Sequence, residues 1–388
     1  MKFKVAKQDL TATLSAITPV LSTSGSDLST HYLFRRLESD PNKMEVLAFS
    51  GKLFASCSMV VQFEDDGKDM FTIDGKRFQT WLKGVPDKVI VFDYADQKTI
   101  VTLPPECKMT VPDFPSLDAS KWPFWDASIA NITESANVLS IRLRAALEYA
   151  KKFTAEDESK TPDLCMCAVK DGLVYATDRT TAAIIEVVGL EKSNFCIHKT
   201  ELGNVINFLP SEGNISIREY DKGVTFWRED GAMIGCGEPL AKFPYFKQPA
   251  DVDQYSWTLG VQELLASLPS LYAWADEKDI RLNIMQESIT DPVTFSMKSI
   301  SGNSSTKQLD CLASKSVEDA PAMPAEGFAV SYKKLQEILG SRKESNGVAV
   351  GVNPLKKSGY LRFVETRFVD EKTGAGGDKY LTLVVWLA

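Results

Sequence analysis

The sequence predicts an α+β chain built from six repeated strand-to-helix units. Three observations carry that prediction: an apolar pattern that switches period from two to three or four, its recurrence at near-even steps through all 388 residues, and short alternating runs after each helical stretch. Period two marks a half-buried strand and period 3.6 an amphipathic helix, so the switch marks a strand running into a helix.

The strand parts show as the apolar pairs Phe3/Val5, Phe71/Ile73, Leu139/Ile141, Phe195/Ile197, Trp257/Leu259 and Phe328/Val330. Counting the first member as position 0, position +7 holds Leu10, Phe78, Ala146, Leu202, Leu264 and Leu335. Position +11 holds Leu14, Leu82, Ala150, Ile206, Leu268 and Leu339, so all twelve helix slots are apolar. Successive anchors lie 68, 68, 56, 62 and 71 residues apart and tile the chain. The spacing predicts helices at 6–17, 74–85, 142–153, 198–209, 260–271 and 331–343. Runs such as Val89-Ile90-Val91-Phe92 and Leu381-Thr382-Leu383-Val384-Val385 read as the strands that follow.

One helix cannot cover the sheet of its own unit, so the units are expected to pair. Three similar domains result, at 1–127, 128–250 and 251–388, each with two helices packed on antiparallel sheets. Pro- and aromatic-rich stretches at 112–136 and 239–254 fit the joints, because proline lacks the N–H that a continuing strand or helix needs. A polar loop at 313–326 and the Gly-rich Thr373-Gly374-Ala375-Gly376-Gly377 read as surface turns.

Composition sets bounds. A hydrophobic share of 44% with 25% charged residues is globular and excludes a disordered chain. The seven cysteines are thinly spread and mostly sit in apolar runs. Cys165-Met166-Cys167 is one residue short of a CxxC pair, so buried thiols in a reducing compartment are expected. Met1-Lys2-Phe3-Lys4-Val5 lacks the apolar stretch of a signal peptide, and no apolar run of membrane-spanning length occurs. The chain therefore reads as cytoplasmic, and the Asn-x-Ser/Thr matches at Asn131, Asn214 and Asn303 as chance.

Charge is partitioned along the chain. The net is −8, which by itself argues against a surface that wraps nucleic acid. Yet the six predicted helices hold 13 Lys+Arg against 6 Asp+Glu, a balance of +7 that leaves −15 for the rest. Positions +5 and +12 lie together opposite the apolar face. They carry Gln8, Lys76, Arg144, Thr200, Gln262 and Lys333, then Ser15, Lys83, Lys151, Asn207, Pro269 and Gly340. Five of these twelve slots are basic and none is acidic. Arg77, Lys334 and Lys152 widen the stripe. Two readings stay open, a solvated helix face or a surface turned towards a polyanion, which it would bind without regard to sequence.

Several segments bear on that choice. Val111-Pro112-Asp113-Phe114-Pro115-Ser116-Leu117-Asp118, Lys76-Arg77-Phe78 running into Leu82-Lys83-Gly84-Val85-Pro86, and Ala176-Thr177-Asp178 are three of them. Met1–Val5, Leu264-Leu265, Asp276-Glu277-Lys278 and Ile280-Arg281-Leu282 add to them. Together with the six-unit tiling they give a chain that resembles, over its whole length and at low identity, the bacterial β-type DNA sliding clamp, the processivity subunit of the replicative polymerase.

The resemblance implies a homodimer closed head to tail into a ring, with helices lining a hole that encircles duplex DNA. Lys76, Arg77, Lys83, Arg144, Lys151, Lys152, Lys333 and Lys334 would then meet phosphates. It also implies a pocket that receives short apolar peptides of the polymerase and clamp loader, at Thr177, Arg179, Ala182, Pro244, Val385, Trp386 and Leu387. Here the chain departs from the family: Arg179-Thr180-Thr181-Ala182 stands for Gly-His-Arg-Leu, and Val385-Trp386-Leu387 for Met-Pro-Met. Such departures suit a clamp matched to its own polymerase, a virus-encoded one for instance. Ring closure would bring Cys107 and Met109 against Tyr272 and Trp274 of the second copy. The acidic Ala155-Glu156-Asp157-Glu158 stands where the family has an aromatic DNA-contacting loop and inherits no such role.

No enzyme signature competes with this reading. The two histidines, His31 and His198, stand at a strand start and a helix start. HExxH, GxSxG and phosphate-loop motifs do not occur, and Gly302-Asn303-Ser304-Ser305-Thr306-Lys307 lacks the second glycine. Neither a metal nor a cofactor is expected. The alternatives are a clamp-like protein that blocks or mimics a host clamp and, further off, a metal-dependent DNA-processing enzyme.

Overall fold

The computed structural model describes residues 1–388 except 23–26, 52, 66, 68–69, 104–112, 124–132, 247–254, 274–280, 289, 299–303, 312, 317–326, 341–347, 353–359, 368–376 and 386–388. The chain divides into two compact units, residues 1–144 with 192–240 and residues 145–191 with 241–388.

In the first unit one antiparallel sheet runs β5 (Gln62–Phe63), β1 (Lys2–Ala6), β7 (Val89–Ala95), β8 (Lys98–Thr102), β9 (Asp113–Pro115). A second has eight strands in the order β10 (Thr133–Leu139), β15 (Asn214–Tyr220), β16 (Gly223–Arg228), β17 (Met233–Gly237), β4 (Leu53–Val60), β3 (Lys43–Ser50), β2 (His31–Arg36), β6 (Phe71–Asp74). Its two halves meet where β17 pairs with β4, Met233 opposite Ser56 and Cys236 opposite Leu53. Helices α1 (Lys7–Ile17) and α2 (Gly75–Gly84) follow β1 and β6, and β14 (Asn194–His198) leads into α4 (Lys199–Phe208). The core is aromatic: Phe34 stacks on Phe71 at 5.0 Å, Phe3 on Phe92 at 4.7 Å, and Phe78 of α2 meets Phe34 edge-on. All five rings are fully buried, so the core gains both area and ring geometry.

In the second unit a run of eight antiparallel strands orders β11 (Met166–Lys170), β12 (Leu173–Thr177), β13 (Thr181–Glu186), β26 (Asp378–Val385), β25 (Tyr360–Arg367), β24 (Val348–Val352), β18 (Tyr255–Leu259), β22 (Ala313–Ser316). A four-stranded sheet orders β21 (Ser304–Leu309), β20 (Val293–Lys298), β19 (Arg281–Met285), β23 (Phe328–Ser331). Helices α5 (Val261–Tyr272) and α6 (Tyr332–Gly340) follow β18 and β23. Trp257 is buried and stacks with Phe328, and its Nε1 donates to Gln286 Oε1. Helix α3 (Ser140–Lys151) begins in the first unit and continues into the second.

The helices fall where the apolar spacing places them, although residues 341–343 of the sixth lie outside the described residues. All twelve +7 and +11 side chains are buried. One strand anchor is corrected. Leu139 and Ile141 are 47% and 45% exposed, while Ala136 and Val138 point inward. A register shift between Glu134 and Ala136 in the β10–β15 pairing accompanies this parity, and a shift of one residue flips a strand's faces.

The proline-rich joints also carry structure. Asp113–Pro115 forms β9, whose Phe114 packs edge-on against Phe78 at 5.4 Å. Pro115 is tolerated there because β9 is an edge strand, where a missing N–H breaks no ladder. Cys57, Cys165, Cys167 and Cys236 are buried, Cys196 and Cys311 are half-buried, and none of these six is in a disulfide, while Cys107 lies outside the described residues.

Candidate nucleic-acid interface and docking face

The helix slots at +5 and +12 form outward faces, none of the twelve being buried. Lys76, Arg77 and Lys83 of α2 and Lys333 of α6 are exposed. Asp74 starts α2 by accepting the Arg77 N–H at 2.8 Å, which leaves the three cations on the helix itself. Lys83 sits in the last turn, where positive charge also suits the helix dipole. Arg144, Lys151 and Lys152 of the α3 segment are half-buried, and Arg144 donates to the Leu209 carbonyl at 3.4 Å.

Between α1 and α2 lies a groove of about 370 Å³, lined by Lys7, Thr11, Ser15, Thr18, Gln79 and Lys83 among others. Two lining residues belong to a polar network with the buried Tyr32: Thr18 Oγ1 and the Tyr32 hydroxyl share a hydrogen bond of 2.7 Å, and Gln79 Nε2 donates to both. Lys7 Nζ donates to the Val85 carbonyl and so caps the C-terminal end of α2.

Lys334 already has a counter-charge. Its Nζ lies 2.8 Å from Asp178 Oδ2, so it is an ion-pair partner within the second unit rather than an uncommitted phosphate contact. Asp178 opens the turn between β12 and β13. Its Oδ1 accepts the backbone N–H groups of Thr180 and Thr181, at 3.0 and 2.7 Å, and both their hydroxyls. Burial opposes charge on Asp178, but Lys334 and these donors outweigh it and hold the carboxyl below its usual range. The same turn puts Arg179 at φ 77°, in the left-handed region, with its N–H donated to Thr177 Oγ1 at 3.1 Å.

That turn ends an apolar sheet face. Tyr175 and Thr177 of β12 stand opposite Ile184 and Ala182 of β13, and Leu381 of β26 stands opposite Ile184. Ala182, Ile184 and Leu381 cluster there with Leu173 and Tyr175, and Phe246 packs on them. Phe243, Tyr245 and Phe246 each bring a ring to within 6.4 Å of Tyr175, so the segment around Pro244 forms a strap over the strands. Tyr245 remains 41% exposed, with Lys170 Nζ 4.9 Å above its ring. The opposite sheet face is core: Tyr149 of α3 shares a hydrogen bond of 2.6 Å with Thr382 and packs edge-on against Tyr380.

Of the expected docking residues, the structure thus brings Thr177, Arg179 and Ala182 to one edge of this face and Pro244 into the strap. Val385 ends β26, while Trp386 and Leu387 lie outside the described residues. So do Cys107, Met109 and Trp274 of the expected dimer contact; Tyr272 is half-buried and stacks on Tyr332 of α6 at 4.8 Å. Sequence reasoning missed Tyr175, Ile184, Leu381 and Phe246 as neighbours of these residues. The alternation Leu173/Tyr175/Thr177 beside Ala182/Ile184 was the signal that puts them on one face.

His198 caps α4 through Thr200, and His31 Nδ1 lies 3.0 Å from Thr30 Oγ1. Among the described residues no group of three or more His, Cys, Asp or Glu could hold a metal ion, and no helix is long and apolar enough to cross a membrane.

Neither protein-family models nor curated proteins match the sequence. Solved structures do. A DNA polymerase sliding clamp from Caulobacter crescentus superposes with a TM-score of 0.79 at 12% identity, covering 100% of both chains. The Bacillus subtilis sliding clamp gives 0.78 at 14%, and the DNA polymerase III beta subunit of Thermotoga maritima 0.76 at 16%, each covering 100% of this chain and 99% of the other. At such identities likeness establishes architecture: from end to end, this chain has the α+β fold of bacterial β sliding clamps, with six helices on antiparallel sheets.

Proposed function

We propose that the chain is a DNA sliding clamp, a non-enzymatic homodimeric ring that encircles duplex DNA and tethers the replicative polymerase to it. The observation that carries this reading is a clamp fold over the full chain whose outward helix slots hold cations and no acid. Cations at Lys76, Arg77, Lys83, Arg144, Lys151, Lys152 and Lys333 would contact phosphates weakly and without sequence preference, which permits sliding. Retention then comes from topology, and the acidic remainder discourages DNA from binding elsewhere.

In this reading residues 1–127, 128–250 and 251–388 act as three similar domains. Two chains close through the Cys107/Met109 region of one and the Tyr272/Trp274 region of its partner. The apolar sheet face at Ala182, with Thr177, Arg179, Pro244 and the Val385-Trp386-Leu387 end, receives short apolar peptides of a polymerase and a clamp loader. The site of action would be the cytoplasm.

Sedimentation equilibrium at micromolar concentration tests the ring, with a mass near twice 42.9 kDa expected. A monomer there removes the two-chain ring and favours a clamp-like protein that blocks or mimics another clamp. Binding to closed circular DNA that is lost on linearisation tests encirclement directly.

A further inference from the structure

The turn at Asp178 holds one charged side chain outward on a strained backbone. Arg179 adopts φ 77°, a region that glycine enters freely and an arginine occupies at a cost. The turn is fixed from several directions. Asp178 collects Thr180 and Thr181 on one oxygen and Lys334 on the other, and Thr177 Oγ1 receives the Arg179 N–H while donating to the Thr181 carbonyl at 2.7 Å. Asp178 is thereby neutralised by α6, so the charge this turn presents outward is Arg179, which is exposed. Among the described residues its guanidinium enters no ion pair.

Its position matters because β12 ends and β13 begins there. Thr177 and Ala182, the pair beside Arg179, belong to the same face as Tyr175, Ile184 and Leu381. A cation stands at the opposite end too, where Lys170 is paired with Leu173 and reaches over Tyr245. Charge at that end is mixed, because the exposed Glu186 stands opposite Leu173 and is paired with Lys379, whereas the turn end presents the Arg179 cation. An apolar strip with that cation at one end complements an extended segment that carries apolar side chains and a carboxylate.

We infer that Arg179 is a specificity-determining residue of the docking face, selecting partner segments in which an acidic side chain adjoins the apolar anchors, with the Lys334–Asp178 pair as its positioning element. This rests on the docking reading proposed above. It assigns that face a charge preference carried by this chain's own residues, since an ordinary strand turn with glycine at 179 would offer no side chain.

The test uses the full chain and synthetic peptides with one alternating-leucine core, in which a Glu is placed before, within or after the core, each against its Gln counterpart. One Glu peptide is expected to bind the native chain about three- to tenfold more tightly than its Gln form at low salt, an advantage that shrinks as salt rises. Arg179→Gln should abolish the difference, bringing the Glu peptide to the affinity of its Gln form on the same chain, and Arg179→Lys should keep part of it. Lys334→Met should reduce the Glu/Gln ratio, a quantity that a merely destabilised fold would not move. Equal binding of every Glu and Gln pair, or an Arg179→Gln chain that loses both peptides alike, overturns the inference and leaves the docking face standing. Failure of all peptides to bind overturns the docking face itself and this inference with it.

Discussion

Lys334 Nζ lies 2.8 Å from Asp178 Oδ2, an ion pair that ties α6 to the turn between β12 and β13 across 156 residues of sequence. The Asp178 carboxyl titrates below its usual range, because Lys334 and the threonine donors outweigh the cost of its burial. A carboxyl with a depressed folded pKa adds stability above its unfolded value, about 3.9, and loses it as pH falls through the folded value. Lys334→Met is therefore expected to cost about 1–2 kcal/mol at pH 7. The cost should fade below about pH 4 as the carboxyl protonates. Urea unfolding of both chains at pH 7 and pH 3 checks this, and an undiminished cost at pH 3 would assign it to packing instead.

Arg179→Gly relieves a non-glycine residue from φ 77°. The exchange is expected to stabilise the chain by about 1 kcal/mol, read as a higher urea midpoint with an unchanged slope. A lower midpoint would mean that the Arg179 side chain contributes more than its backbone costs.

Phe92 is fully buried and touches Phe3, Phe34, Phe71 and Phe78. Phe92→Ala leaves a cavity among four rings and is expected to cost about 3–5 kcal/mol. Denaturant unfolding measures it, and a loss near 1 kcal/mol would show that the neighbouring rings collapse into the space.

Gly235 of β17 lies directly opposite Phe54 of β4, and a Cβ at 235 would come within 2.1 Å of that ring. Gly235→Ala is expected to cost about 1–3 kcal/mol by displacing the ring, read as a lower urea midpoint. Gly231, with nothing within 4 Å of its Cβ position, gives the contrast: its positive φ of 83° penalises alanine through the backbone alone.

Charge removal on α2 tests the DNA-facing assignment. The combined Lys76→Gln, Arg77→Gln and Lys83→Gln chain should bind duplex DNA more weakly, and its slope of log affinity against log salt should flatten by about 0.9 for each phosphate that is no longer neutralised. An unchanged slope would place the phosphates elsewhere.

The helices were legible because burying one face of a helix against a sheet imposes a period that survives sequence divergence. Leu10, Phe78 and Leu335 keep it although little else is shared among their units. The third strand anchor was not legible: Leu139 and Ile141 alternate as a buried pair does, and nothing local announces the register shift near Ala136. Lys334 looked like its neighbour Lys333 for a similar reason. Charge at a helical position says that a side chain seeks water or a counter-charge, whereas the partner, Asp178, is supplied by a distant hairpin. Of the proposed docking face, Thr177 and Ala182 came from resemblance, while the aromatic strap over Tyr175 came from tertiary packing.

The two seams in the sheets set an order of events during synthesis. β4 ends at Val60 but gains its neighbour β17 only from Met233 onward, and β13 ends at Glu186 while its neighbour β26 starts at Asp378. At about 5–20 residues per second, roughly 10–40 s separate the emergence of β13 from that of its partner. Throughout that interval β13 presents an unpaired edge of apolar strand, the kind of template on which nascent chains join one another. A ribosome that stalls before Asp378 releases a chain whose β13 and β25 edges are both open. Its expected fate is aggregation or capture by a chaperone, so the β26 strand acts as the fastener of the second unit.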